Sequence, residues 1–350
     1  MKLAFIIVTY RATPYLDDLF ATLWRHTDMA NAHIIVVENA SNDGTLEALH
    51  RITRGHSNVE ILPQARNTGF AEGNNIGIAR ARALGADFVV LLNQDLELCP
   101  NWLEPLVAVM HARPEVAAAQ PLILLHAEPH LLNTAGNQLH FCGFGYCGDY
   151  RRPLASLSSP SEVRSVAFAS GAALMLRMSA LERSGDFDES LFLYHEDCEL
   201  QIRLRILGYD CVCIPTSRVM HKYTASFSAR KYALLDRNRW LVLLKDWPLD
   251  RLIVAAPALV GTELAVLFFA AKAGWWREKL ATYGAILQAV PSLKQERKRI
   301  EKMRSPNATD GAWLTGAMQF DGFHHPIITH FANPVLQTYW NFARRVLKVR

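Results

Sequence analysis

Two rhythms of apolar residues alternate along the first quarter of this chain. Apolar runs of strand length, interrupted once by Glu60, occupy residues 3–8, 34–37, 59–62 and 88–92, and the segments between them repeat apolar positions at helical spacing. Pro14 is expected just inside the first helix, and Asn42 and Asp43 are candidate caps for the second. Strands that are apolar on both faces and separated by helices predict a mostly parallel sheet covered on both sides. In such sheets ligands bind beyond the carboxyl ends of the strands, so the residues directly after each run are the first candidates for chemistry.

Beyond Pro100 the pattern becomes mixed. A helix is expected near residues 102–111 and a strand near 116–120, followed by a glycine-rich loop or hairpin at 136–148 and a flexible Pro/Ser connection at 151–161. Residues 167–176 are strand-like, 196–207 helical, and 211–214 a short strand. Residues 252–271 are almost wholly apolar, interrupted by Pro257, Gly261 and Glu263, with Trp275 and Trp276 just beyond. The length is borderline for a membrane span, and a central glutamate costs roughly 2.5–3.5 kcal/mol on insertion scales. An interfacial helix is therefore preferred to a spanning one, with a core helix packed on the α/β domain as the alternative.

Composition sharpens this picture at three points. At 350 residues and 50% hydrophobic, the chain can bury one large α/β domain plus a C-terminal element. The expected division is one α/β domain over 1–245, in two halves that meet near 120, then a helical, basic region over 246–350. From Lys272 onward thirteen Lys or Arg face five acids, whereas the preceding body is mildly acidic, which suggests a membrane surface as partner. Nucleic acid is not expected, because the basic residues flank an apolar helix and not base-reading motifs. The six cysteines lack paired C-x-x-C spacing, against structural zinc. The first apolar run is too short for a signal-peptide core, so a cytoplasmic chain, peripheral at the inner face of the membrane, is expected.

The first strand is followed by Thr9-Tyr10-Arg11-Ala12-Thr13-Pro14, which lacks the glycines a dehydrogenase-type turn needs to approach a pyrophosphate. Glu38 ends the second strand, where a carboxylate can accept from a ribose hydroxyl or a base N–H. The stretch Arg66 to Gly77 holds three glycines and three asparagines at a strand-to-helix junction, suited to close backbone approach and amide contacts with a ligand. Asn93-Gln94-Asp95 follows the fourth run, placing a hard oxygen ligand at the sheet edge, where Mg2+ or Mn2+ bridging phosphates would sit. Glu196-Asp197 stands at a helix start after a loop expected to rim the cleft; such acids can be simple caps or can supply a general base.

In this order these pieces resemble the family 2 glycosyltransferases of the GT-A fold, within them the rhamnosyltransferase-like branch. The matching stretches are Ile6 to Tyr10, Val37 to Thr45, Asn67 to Gly77, Leu91 to Asp95, Ser170 to Ala173, Phe187 to Glu189 with Tyr194 to Asp197, His221 with Ser226, and Arg237-Asn238-Arg239. The resemblance implies that Thr9, Tyr10 and Glu38 contact the nucleotide, with Asn67, Arg66, Asn93 and Gln94 nearby. It makes Asp95 and His221 metal ligands, Asp197 the general base, and Glu196 a neighbour facing acceptor or donor hydroxyls. Arg237 and Arg239 would pair with diphosphate oxygens.

Two residues depart from the family pattern: Asn93 stands where the first acid of Asp-x-Asp is common, and Glu38 where Asp is common. Processive members carry Gln-x-x-Arg-Trp, but Asp236 precedes Arg239 and Trp240 here, which favours single-sugar transfer. The implied function is an inverting, metal-dependent transfer from a nucleotide-diphosphate sugar, with dTDP-rhamnose as candidate donor, to a glycan or lipid-linked glycan. The alternative is a non-catalytic binding module of the same fold. The enzyme reading requires Asp197, Asp95 and His221 to converge on one rim of the sheet.

Overall fold

The computed structural model describes the chain except residues 31, 224–227, 307, 309–310, 320–325 and 349–350; Ser226 lies outside the described residues. In chain order the elements are β1 (Leu3–Thr9), α1 (Leu16–His26), β2 (Ala32–Glu38), α2 (Thr45–Ile52), β3 (Val59–Pro63), α3 (Gly69–Ala83), β4 (Phe88–Leu92), β5 (Leu96–Leu98), α4 (Glu104–Ala112), β6 (Val116–Leu125) and β7 (Glu128–Thr134). They continue with β8 (Asn137–His140), β9 (Gly145–Cys147), β10 (Arg164–Ser165), β11 (Ala173–Arg177), α5 (Met178–Ser184), α6 (Glu196–Ile206) and β12 (Asp210–His221). The C-terminal part holds α7 (Ala229–Asp246), α8 (Leu249–Lys272), α9 (Trp276–Met303), β13 (Leu314–Thr315) and α10 (Asn333–Val346). These residues form two compact units, one of 1–137, 148–204 and 209–224, the other of 138–147, 205–208 and 225–350.

The first unit is built on a sheet ordered β10-β12-β6-β11-β4-β1-β2-β3, with β5 and β7 paired to β12 and β6. The four apolar runs become β1 to β4, all parallel. Antiparallel β11 separates β4 from β6, and β12 runs parallel to β6. Period-two alternation explains why β1 is apolar throughout. Phe5 and Ile7 face a cluster with Leu16, Phe20 and Trp102, while Ala4 and Ile6 face another with Ala71, Ile78 and Leu204.

Several elements differ from expectation for local reasons. Pro14 lies in the turn before α1, not inside it. Neither Asn42 nor Asp43 is the cap of α2: Gly44 takes that position without a side-chain cap, and Asp43, one residue earlier, braces the turn with its Oδ1 accepting from the Thr45 N–H at 3.1 Å. The short strand expected at 211–214 is β12, which runs on to His221 past an irregularity between Ile214 and Arg218; the polar residues Thr216 to Arg218 hide that continuation in the sequence. Gly73 and Gly77 serve packing and not ligand approach: a Cβ at Gly77 would lie 2.4 Å from Ile6 Cγ2, and one at Gly73 2.9 Å from Val8 Cγ1. Their small size lets α3 lie close on β1.

In the second unit the glycine-rich stretch is a hairpin, β8 with β9, joined by β13. The helices are tied by an inward ion-pair network. Glu263 of α8 accepts from Arg239 Nη2 at 2.7 Å and from Trp240 Nε1 at 2.9 Å, both on α7. Lys279 of α9 bonds both Glu263 and Asp236. The glutamate that would be costly in lipid therefore faces protein, while much of the apolar surface of α8 is exposed, so α8 is not a core helix enclosed on all sides.

Candidate active site

The carboxyl edge of the sheet in the first unit gathers most of the residues singled out above. Asp95 Oδ1 and His221 Nε2 stand 3.2 Å apart. Their meeting depends on β5, the three-residue strand directly after Asp95, which pairs antiparallel with the end of β12 so that His221 lies opposite Leu96. The Lys222 N–H donates to the Asp95 carbonyl at 3.0 Å and fixes the same junction. Burial alone would raise the Asp95 carboxyl, but the hydrogen bond and charge of His221 outweigh it and hold this acid below its ordinary range.

Asn133, at the end of β7, is a partner that the sequence does not advertise. Its Oδ1 lies 2.9 Å from His221 Nδ1; accepting that N–H fixes the ring with Nε2 toward Asp95, where it donates to the carboxylate when protonated and offers a lone pair when it is not. One imidazole nitrogen and one carboxylate oxygen at this spacing fit a divalent cation such as Mn2+ or Mg2+, with diphosphate oxygens and water completing the shell. No cluster of three or more His, Cys, Asp or Glu able to hold a metal occurs among the described residues, so a cation held by Asp95 and His221 would need further ligands from substrate or water.

Asp197 is joined to this edge through the turn at 170–172. Its Oδ2 accepts from the Gly171 N–H at 2.8 Å, and the Asn93 N–H donates to the neighbouring Ala172 carbonyl at 2.8 Å. A Cβ on Gly171 would sit 3.3 Å from that carboxylate, so the glycine permits the approach. Asp197 Oδ1 accepts from the Cys198 N–H at 2.7 Å at the start of α6. Burial raises the Asp197 carboxyl against these lowering hydrogen bonds. Glu196 is pushed up further, by burial first and then by the charge of Asp197, and its buried Oε2 has no hydrogen-bond partner.

The turn leading into α6 is strained, with φ of 62°, 72° and 68° at Phe192, Tyr194 and His195; each left-handed residue costs about 1–3 kcal/mol. It is held because the Phe192 carbonyl accepts from the Phe70 N–H at 2.7 Å and the Ala71 N–H at 3.2 Å. Gly69 makes room for it, since a Cβ there would lie 2.5 Å from that oxygen.

The residues expected at the nucleotide take varied places. Tyr10 presents a ring 39% exposed, and its backbone is locked to Gln94, whose Oε1 accepts from the Tyr10 N–H at 2.8 Å and whose Nε2 donates to the Tyr10 carbonyl at 3.0 Å. Gln94 thus braces β1 against β4. The Thr9 side chain is fully buried, 3.5 Å from the Val37 carbonyl, so this residue offers no exposed hydroxyl to a nucleotide. Glu38 Oε1 accepts from the Ser41 N–H at 2.8 Å, tying the carboxylate into its own turn. Asn67 Oδ1 accepts from the Gly69 N–H at 2.8 Å, and Arg66 pairs with Glu72 at 2.7 Å on the surface. Arg237 and Arg239 belong to the second unit. Arg239 is buried and committed to Asp236 and Glu263, which corrects its expected place on a diphosphate; Arg237 Nε bonds Asn238 Oδ1 at 2.9 Å.

A mostly parallel sheet that gathers a carboxylate–imidazole pair and a helix-start acid at its carboxyl edge defines a GT-A nucleotide-diphospho-sugar transferase fold. Residues 2–242 match the family model described as glycosyltransferase like family 2, and the chain belongs to that family. It is 28% identical over 237 residues to the N-acetylglucosaminyl-diphospho-decaprenol L-rhamnosyltransferase of Mycobacterium tuberculosis, covering 62% of this chain and 74% of that one. It is 24% identical over 216 residues to dTDP-rhamnosyl transferase RfbF of Shigella flexneri, covering 62% and 67%. Among solved structures, GalNAc-T7 with UDP, GalNAc and Mn2+ is similar with a TM-score of 0.58 at 17% identity, covering 71% of this chain and 48% of that one. The chain thus spans about half the length of that enzyme.

Proposed function

We propose that the protein transfers one sugar, with inversion, from a nucleotide-diphosphate donor to a hydroxyl of a glycan or lipid-linked glycan assembled at the cytoplasmic face of a membrane. The relatives named for rhamnose transfer support dTDP-rhamnose as donor. The observation that carries the reading is the placement of Asp197, held by two backbone N–H groups and tied through Gly171 and Ala172 to the strand end that bears Asp95.

Asp197 takes the proton of the attacking hydroxyl as that oxygen bonds to the anomeric carbon from the face opposite the departing diphosphate. The carbon–oxygen bond to phosphate breaks with its electron pair, and nucleoside diphosphate leaves. A carboxyl raised by burial is better matched to this proton transfer than an ordinary aspartate. Asp95 and His221 would hold Mg2+ or Mn2+, which when bound stabilises the charge growing on the leaving group. Tyr10 offers its exposed ring to the base, with Glu38 at the end of the neighbouring strand.

Replacing Asp197 with Asn should abolish transfer while donor binding, followed by calorimetry, persists; near-normal turnover by that variant would refute the assignment. A panel of nucleotide sugars, scored by diphosphate release, identifies the donor. Asn93, in place of an acid, favours a second reading as a non-catalytic binding module, which would show donor binding without release at any metal concentration.

A further inference from the structure

The second unit carries a helix whose polarity is inverted. A surface helix in water turns its apolar stripe inward and its charges outward, yet between Ile253 and Ala271 the only charged side chain of α8, Glu263, faces inward. The outer positions are apolar throughout that stretch: Ile253 is 64% exposed, Val260 61%, Leu264 62% and Phe268 72%. At 1.5 Å per residue the bare face is about 27 Å long. Parallel features recur on neighbouring helices of the same unit, with Leu280 and Leu287 exposed on α9, and Val335 and Phe342 on α10. Isolated exposed apolar residues are ordinary, but a continuous face of this kind marks a contact surface.

We infer that the α8 face lies flat on an anionic lipid surface, in the plane of the headgroups. The charge pattern selects this occupant. Lys272 ends α8, Lys294 and Lys298 are exposed on α9, and Arg344 and Arg345 are exposed on α10 beside Phe342. A second copy of the chain would bring these cations against their own kind, whereas anionic headgroups complement them. α8 is long and apolar enough to cross a bilayer, but crossing would strip Glu263 from Arg239 and Lys279 and carry it into hydrocarbon. The in-plane placement keeps that network intact. The inference extends the membrane-face reading above, and the test is run without donor or acceptor so that it stands or fails apart from sugar transfer.

The test is co-sedimentation of the full chain with vesicles of phosphatidylcholine, alone and mixed with phosphatidylglycerol. Binding to the mixed vesicles, weakened by salt, is expected. Phe268→Asp with Leu264→Asp should lower the partition coefficient at least about tenfold, with the thermal midpoint unchanged because both side chains are exposed. Lys294→Glu with Lys298→Glu should lower it on anionic vesicles alone. Absence of binding to either vesicle, binding indifferent to both double variants, pelleted protein that resists alkaline carbonate as a spanning helix does, or a dimer that L264D/F268D dissociates in place of vesicle binding would each overturn the inference.

Discussion

The contact between Asn133 and His221 lends itself to a quantitative test. Asn133→Leu keeps the side chain's size and deletes the oxygen that accepts from His221 Nδ1 at 2.9 Å. The imidazole is then free to turn or to change tautomer, and its Nε2 is no longer held toward Asp95. Losing the partner that orients a metal-bound imidazole weakens metal affinity about 10- to 100-fold, equivalent to about 1.4–2.8 kcal/mol. Stability should change less than this, because the Asn133 Nδ2 group is itself buried without a partner, and removing it offsets part of the lost hydrogen bond. Asn133→Asp retains an acceptor at the same place and should keep or strengthen binding. The assay is Mn2+ titration followed by electron paramagnetic resonance in the presence of nucleoside diphosphate, beside thermal melts of all three proteins. An Asn133→Leu protein that binds Mn2+ as tightly as the parent would show that the imidazole is held by something else.

Four further outcomes follow from the packing and charge already described. Gly77→Ala places a methyl 2.4 Å from Ile6 Cγ2 and should cost about 1–3 kcal/mol by overpacking, read as a lower midpoint in urea. Lys279→Met removes one of the two buried cations that Asp236 and Glu263 share, leaving Arg239 alone against two acids, and should destabilise by about 3–5 kcal/mol, whereas an exposed change such as Lys298→Met should be near neutral. The turnover rate should fall on the acid side as Asp197 gains its proton, with a midpoint above the 3.8 of an ordinary aspartate because burial raises this carboxyl; a midpoint at or below 3.8 would count against Asp197 as the base. Glu196 is likewise raised in the folded protein, so its contribution to stability is present at low pH and is lost as pH rises through that raised value. Glu196→Gln should flatten this decline in a pH series of thermal melts.

The sheet was legible because its information is local. Strands β1, β2 and β4 are almost wholly buried, so each carries an unbroken apolar run, while half-buried β3 at the end of the sheet shows one interrupted by Glu60. The acids at positions 95 and 197 were legible because they sit where such strands and the following helix begin or end. What escaped was set by pairing at a distance. Three residues, Leu96 to Leu98, become a strand only because the end of β12 lies beside them, and nothing around Asn133 signals that it will meet an imidazole 88 positions further on. The glycines of α3 pointed to a ligand, yet Gly73 and Gly77 are explained by Val8 and Ile6 beneath them, and Gly69 by the Phe192 carbonyl. Arg239 offered the right chemistry for a phosphate, but Glu263 and Asp236, which claim it, are seen only once α7 and α8 are packed.

The four-residue charge cluster that links α7, α8 and α9 also bears on where the gene can be cut. The family match stops at residue 242, inside α7, and a recombinant fragment ending near there would look complete by similarity alone. It would lack Glu263 and Lys279, leaving Arg239 and Asp236 without two of their partners and baring to solvent the helix flank they line. Expression boundaries should therefore fall beyond α9, and poor solubility of shorter versions would reflect a broken scaffold and not a fault in the sugar-handling half.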